Sequence, residues 1–324
     1  MLISCSFNFI KCYPRDFIYS YSSHYGNCYT FNSGLYSNGT KYTPRSVSLN
    51  GQFYGLTLEI FLGDPSKSTT FQTSNGIFIS INNQSSEQFI DGNLLKAESG
   101  AETDFVLSRN FVNKLPSPHG SCSFTGGNQN YYKFIVNTLG KNYTRELCLQ
   151  FCLQEEIVKK CNCANIYLSN RYSSAQYCKN PQHQQCVTEF FNDYITSIDC
   201  ELDCPYECNY VNFEISLSKS KYPTLSYTNK LKEYINGKGI NITNSNDIAS
   251  AFTKVNIYYQ SAEYKIITQT PRYDLSEVSS LVGGIIGVFL GMSYLTLCEF
   301  IEIILIVIFS LKKFYTSRSD SINI

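Results

Sequence analysis

Two carboxylates stand inside an otherwise apolar run. From Leu281 to Phe309 the sequence reads LVGGIIGVFLGMSYLTLCEFIEIILIVIF, 29 residues whose only charges are Glu299 and Glu302. A carboxylate within hydrocarbon is costly unless it faces water or a partner, so it marks an ion path or an ion pair. The two lie one helical turn apart. Hydrated near one membrane face, or paired with Lys312 or Lys313 of a neighbour, they serve structure. Repeated by symmetry, they form an acidic ring that concentrates cations. Gly283, Gly287, Gly291, Leu295 and Glu299 recur every four residues, and glycines on such a stripe let helices approach closely.

The second reactive set is cysteine. Thirteen of the 14 cysteines precede the apolar run, and ten fall between residues 122 and 208. Their spacings there are C-x3-C (Cys148, Cys152), C-x-C (Cys161, Cys163), then Cys178, Cys186 and C-x3-C-x3-C (Cys200, Cys204, Cys208). With only three histidines (His24, His119, His183), zinc is open only through all-cysteine sites. Disulfides in an oxidising compartment are the better reading. Four Asn-X-Ser/Thr sequons (Asn38, Asn83, Asn142, Asn241) lie on the same side of the apolar run.

The elements that must position these groups follow from periodicity. A straight helix over 281–309 would span about 43 Å, against a hydrocarbon core of about 30 Å, so the segment crosses with a tilt or a break to spare. Lys312 and Lys313 follow it, which places the C-terminus in the cytoplasm and everything before Leu281 outside. YGLTLEIFL (54–62), GIFISI (76–81), VNFEISL, KVNIYYQ and YKIITQT alternate as strands do. TRELCLQFCLQEEIVKKC (144–161) has helical spacing, a Thr cap and acids placed before lysines. A second helix is expected at about 187–197, and TLSYTNKLKEYI reads as a short one. Strands on either side of a disulfide-tied helical insertion make an α+β ectodomain.

Composition excludes other classes. Lys plus Arg equal Asp plus Glu at 26 each, and charged residues are 16% of the chain, so no basic surface for nucleic acid exists. Aromatics at 15% exclude a disordered chain. There is no phosphate-cradling glycine loop, no HExxH and no nucleophile–His pair, so an enzyme is not expected, nor a metal or cofactor.

The cysteine spacings, together with GNCYTFN (26–32), LPSPHGSC (115–122), CPYEC (204–208), SKSKYP (218–223) and LVGGIIGVFLGMSYLTLCE (281–299), resemble the degenerin/epithelial sodium channel family, which includes the acid-sensing ion channels. The likeness runs from Met1 to about Lys313. It implies a mainly β partial ectodomain of palm, β-ball and finger elements (1–121), a disulfide-laddered thumb (122–208), a knuckle helix with palm strands (209–279), one pore-lining transmembrane helix (280–311) and a short cytoplasmic tail (312–324). It also implies the pairs Cys5–Cys12, Cys122–Cys208, Cys148–Cys204, Cys152–Cys200, Cys161–Cys186 and Cys163–Cys178. Cys28, whose family equivalent bonds upstream of this chain, and Cys298 are left unpaired.

The same resemblance gives Gly291-Met292-Ser293 as the tripeptide where the pore helix breaks and narrows, with Glu299 and Glu302 at the inner mouth. Ser280 takes the small-residue position that bulky side chains hold open. His119 departs from the family, standing where an aromatic, often Trp, links the thumb to the first membrane helix. Implied overall is a plasma-membrane subunit of a stimulus-gated, amiloride-sensitive channel conducting Na+, partnered by like subunits in a homo- or heterotrimer, by the bilayer and by an extracellular proton or peptide. The N-terminus MLISCSFNFIKCYPRDF has no signal-peptide pattern, and thirteen external cysteines is an odd number. Both are expected of a C-terminal fragment lacking a first membrane helix and one cysteine. The competing reading is a non-conducting, single-pass ectodomain protein that binds ligand or modulates full-length subunits.

Overall fold

The computed structural model describes residues 1–22, 25–34, 36, 40–64, 74–84, 94–169, 175–194, 199–240, 245–291 and 293–320. They form two compact units, Met1–Gln269 and Thr270–Ile324.

Among the described residues the first unit holds ten strands: β1 (Leu2–Phe7), β2 (Ile10–Lys11), β3 (Phe17–Ser22), β4 (Gly26–Phe31), β5 (Leu56–Phe61), β6 (Gly76–Ser80), β7 (Leu94–Glu98), β8 (Ala101–Asn113), β9 (Asn209–Lys221) and β10 (Phe252–Thr268). Six build one mixed sheet in the order β2-β1-β5-β10-β8-β9, and β3–β4 and β6–β7 are separate ribbons. Only β8 and β10 run parallel; the other neighbours are antiparallel. Along β8, Ala101, Thr103, Phe105 and Leu107 are buried in strict alternation, the period-two pattern of a strand covered on one face. Phe105 and Val255 are fully buried, and the β6–β7 ribbon packs on them through Ala97, Ile77 and Leu95. Each such large side chain contributes about 1.5–3 kcal/mol of burial.

β8 and β9 pair from Ala101↔Lys221 to Asn113↔Asn209, and Lys114 N–H continues to Cys208 O at 2.7 Å. The two ends of the intervening segment therefore leave the sheet side by side, and the insertion hangs from a long hairpin. It contains α1 (Gln129–Lys133), α2 (Arg145–Cys161), α3 (Pro181–Tyr194) and α4 (Asp199–Asp203). Thr144 caps α2 by accepting from Leu147 N–H, and Asn162 ends it in the left-handed conformation. α3 starts at Pro181, six residues before the expected 187. Proline suits the first helical position, because its missing N–H would be unpaired there anyway. After β9, α5 (Leu225–Asn236) packs Leu231 and Ile235 against Phe61, Tyr222 and Phe252.

The second unit is helical: α6 (Leu275–Leu290) and α7 (Tyr294–Asp320). A single transmembrane helix over 280–311, broken at Gly291-Met292-Ser293, is the expectation; the structure has two separate helices there, α6 and α7. The apolar run is broken between Gly291 and Ser293, and among the described residues no helix is long and apolar enough to cross a membrane. At 16 residues α6 is about 24 Å long, short of a hydrocarbon core of about 30 Å.

Candidate functional site

The break in the second unit is built from both sides. Asp274 opens α6 by accepting from Leu275 N–H at 2.7 Å, and Glu277 reaches back to Asp274 N–H at 3.2 Å, a reciprocal capping box. Ser280 lies exposed in the second turn. The helix stops at Gly291, which sits at φ 63° and ψ 14° with its N–H on Gly287 O. That left-handed conformation is open to glycine and disfavoured for a side chain with a Cβ.

Ser293 starts the next helix. Its O accepts from Leu297 N–H at 3.2 Å, the first turn of α7. In an unbroken helix Ser293 N–H would bond Phe289 O. It turns instead to Thr296 Oγ1 at 2.8 Å, while Thr296 N–H donates to Ser293 Oγ at 3.4 Å and Thr296 Oγ1–H to Ser293 O at 2.6 Å. The exchange takes Ser293 N–H away from the Phe289 carbonyl that it would bond in a continuous helix. A stop by glycine and a start by serine thus divide the apolar segment near its middle. Met292 lies outside the described residues. Glu299 and Glu302 fall on α7, both exposed and three positions apart, and Cys298 beside them is an exposed free thiol.

In the first unit the six disulfides join Cys5–Cys12, Cys122–Cys208, Cys148–Cys204, Cys152–Cys200, Cys161–Cys186 and Cys163–Cys178. These are the pairs that the family likeness implies. Cys148–Cys204 and Cys152–Cys200 cross-link α2 to α4 and its flank inside a core with Tyr131, Ile135, Leu147 and Phe151. Tyr131 O–H donates to Glu155 at 2.9 Å, and burial followed by that carboxylate pushes its phenol well above the usual range. Tyr143 O–H donates to Pro205 O at 2.9 Å; burial, then Glu207, pushes it up to about 12. Both hydroxyls stay protonated donors at neutral pH. Cys28 is a half-buried free thiol on β4, pushed up by burial. Asn142 is exposed and Asn83 half-buried; Asn38 and Asn241 lie outside the described residues. His119 is exposed in the turn that follows Pro118.

The sheet carries a polar cluster that the sequence reading missed. Glu102 on β8 pairs with Lys254 on β10 at 2.9 Å, and the buried Asn256 Nδ2 donates to Glu102 at 2.8 Å and Asp104 at 2.7 Å. Burial pushes the Glu102 carboxyl up, but the hydrogen bonds from Lys254 and Asn256 outweigh it and hold it below the usual carboxylate range. A depressed pKa stabilises the fold above the unfolded value of about 4.3, and that stability is lost as pH falls through the folded value. Thermal melts at pH 7, 5 and 3 are expected to fall towards acid, and Glu102→Gln should melt lower at pH 7 with a flatter acid limb. An unchanged acid limb in the variant would assign the loss to other groups. Glu59 makes a parallel contact, accepting from Ser4 Oγ, Tyr222 O–H and Tyr227 O–H, which ties α5 and its lead-in to β5.

Comparison with known proteins places these features in context. The family described as amiloride-sensitive sodium channel matches residues 1–303. The chain is 25% identical over 310 residues to the epithelial sodium channel subunit gamma-2 of Xenopus laevis, covering 94% of this chain and 45% of that protein. It is 26% identical over 313 residues to the human epithelial sodium channel subunit beta, covering 94% and 47%. To the human subunit delta it is 26% identical over 308 residues, covering 94% and 36%. The chain thus spans less than half the length of these relatives.

Proposed function

This chain belongs to the amiloride-sensitive sodium channel family, and we propose that it is a subunit of a stimulus-gated channel conducting Na+ across the plasma membrane. The observation that carries the reading is the paired stop and start at Gly291 and Ser293. In a pore lined by copies of this segment, carbonyls released at such a break replace part of a cation's hydration shell. α6 and α7 cross the bilayer together, since neither is long enough and apolar enough alone. Glu299 and Glu302, in the second and third turns of α7, hold cations at the inner mouth without any cofactor.

Lys312 and Lys313 put the C-terminus in the cytoplasm and the disulfide-rich unit outside. The laddered helical insertion then acts as the thumb, the six-stranded sheet as the palm and α5 as the knuckle. Assembly with like subunits, three in all, closes the pore, and a proton or a peptide reaches the ectodomain as stimulus.

Oocytes expressing the chain, alone and with full-length family subunits, test this by voltage clamp. An amiloride-blocked inward Na+ current whose selectivity changes on Ser293 substitution is the expected result. Surface protein with no such current, which instead dampens the current of the full-length subunits, would favour a non-conducting modulator. Ser280→Val introduces bulk at the exposed outer part of α6. Resting conductance is expected to rise several-fold and to remain amiloride-sensitive; unchanged resting current would remove Ser280 from gating.

A further inference from the structure

Along β8 the buried side chains Ala101, Thr103, Phe105 and Leu107 share one face of the sheet, and the same alternation continues to Arg109 and Phe111. An arginine thus takes a core-side position. Its cross-strand neighbours are Phe213 on β9 and Tyr264 on β10, neither of which brings a counter-charge. Among the described residues Arg109 makes no ion pair, and its buried Nε–H has no acceptor. The guanidinium lies 4.6 Å from the centre of the Phe111 ring, a weak substitute for an anion. A charge drawn out of water requires a partner, and arginine, which does not give up its proton, requires an anionic one.

Arg109 is part of the wall of a cavity of about 2270 Å³ between this sheet face and the two ribbons. The apolar lining includes Leu58 on β5, Leu107 and Phe111 on β8, Ile257 on β10, and Ile77 and Ile79 on β6. Among the described residues the other charged side chains of the wall are Arg45, Lys141 and Glu263. Arg45 is held by Asp16 at 2.7 Å. Glu263 is exposed on β10 and forms no ion pair with Arg109, and Lys141 adds a second positive charge to the wall. The cavity therefore joins a long apolar surface to a fixed cation without a protein counter-charge. Its volume exceeds the about 300–1,000 Å³ of a pocket for a compact small molecule, which suits an extended chain.

We infer that this cavity binds a long-chain carboxylate, its head on Arg109 and its tail along β5, β6 and β10. The two halves of the wall select that ligand together. A small inorganic anion would pair the guanidinium and leave the apolar surface wet. A neutral lipid would cover the apolar surface and leave the guanidinium unpaired. A planar carboxylate accepts two parallel N–H bonds from the guanidinium fork, while its chain removes apolar wall from water. The site lies wholly in the first unit, so it stands whether or not the chain conducts.

The full chain, purified in a sugar-headed detergent, is labelled with a diazirine-bearing stearic acid, and the labelled peptides are mapped by mass spectrometry. Saturable labelling of β5, β6 and β10 is expected, displaced by oleate at about a tenth of the concentration that oleyl alcohol needs. Arg109→Gln should raise the half-saturating concentration by about tenfold or more, and Arg109→Lys, which keeps the charge and loses the fork, by less. Titration showing two free thiols per chain in each variant certifies the six disulfides. Without ligand, Arg109→Gln should melt no lower than wild type, because the charge it removes has no protein partner. A lower melt would make Arg109 a structural residue and overturn the assignment. Labelling confined to the second unit, equal displacement by oleyl alcohol, or wild-type half-saturation in Arg109→Gln would overturn it too. Stronger displacement by octadecyl phosphate would give the site to a phosphate-headed lipid instead, and labelling that never saturates would give the cavity to a protein segment.

Discussion

Replacing Cys148 and Cys204 together by alanine is expected to cost about 4 kcal/mol of stability, and replacing Cys163 with Cys178 about 3 kcal/mol. The ordering comes from the loops that the bonds close, with sequence separations of 56 and 15 residues. Each cross-link removes chain entropy from the unfolded state in proportion to the logarithm of the loop. Packing widens the gap, because Cys148 and Cys204 are fully buried among Ile135, Leu147 and Phe151. Truncating both sulfurs leaves a void between α2 and α4 that those side chains fill only in part. Cys178 is only half-buried, so its removal opens little space.

For a unit of this size, 4 kcal/mol lowers the melting temperature by roughly 8–16 °C. Thermal melts of the two double variants in detergent measure the difference. A larger drop for Cys163 with Cys178 would mean that loop closure does not govern the ladder. Cys148→Ala alone should be worse than the pair, since it strands the Cys204 thiol in an apolar core and offers Cys28 a wrong partner.

How far the fold could be read in advance depended on whether its signal was local. α2 announces itself through Thr144 as cap and apolar residues at helical spacing, and the structure begins it one residue later, at Arg145. α3 is displaced because the reading began at its first apolar residues, whereas the chain begins the helix at Pro181. β8, the partner of both β9 and β10, is absent from the strands read from sequence. Its buried positions include Thr103 and Asn110, so the apolar alternation is interrupted by residues whose burial only neighbouring strands explain. Cysteine spacing shows that bonds exist and leaves many connectivities open; only the family likeness narrows them. The tight turn between β1 and β2 was illegible for the opposite reason: Asn8-Phe9 lacks the glycine that signals such a turn.

The membrane-proximal unit was legible in composition, and its break at Gly291-Met292-Ser293 only through the family likeness. Hydropathy sees one 29-residue run with two charges and does not itself say where it breaks. The D-x-x-E of Asp274 and Glu277 is a start signal that could have fixed α6, and Ser293-x-x-Thr296 could have fixed the start of α7. The first lies just before the apolar run and the second in its middle, and both are short polar patterns that averaging over a window erases. By spacing alone Gly291 is one glycine among several on the same stripe; only the family likeness singles it out, and its φ of 63° gives the reason. Capping residues, rather than hydropathy, decide where this segment bends.

Gly291→Val should therefore reduce amiloride-blocked current to below about a tenth of wild type at equal surface density. Space is not the obstacle, for a Cβ at Gly291 meets no atom of the chain within 4 Å. The obstacle is the backbone. A β-branched residue at φ 63° costs about 2 kcal/mol, enough to shift the balance from broken towards continuous helix about thirtyfold. A continuous helix returns Ser293 N–H to Phe289 O and withdraws the carbonyl from a permeating cation. Gly291→Asn separates conformation from bulk, because asparagine tolerates the left-handed region. The chain already uses it so at Asn162, at φ 56° beyond α2. Asn should keep a clearly larger share of current than Val. Equal loss in both would make added bulk the cause, whereas wild-type current in Gly291→Val would show that conduction does not need the break.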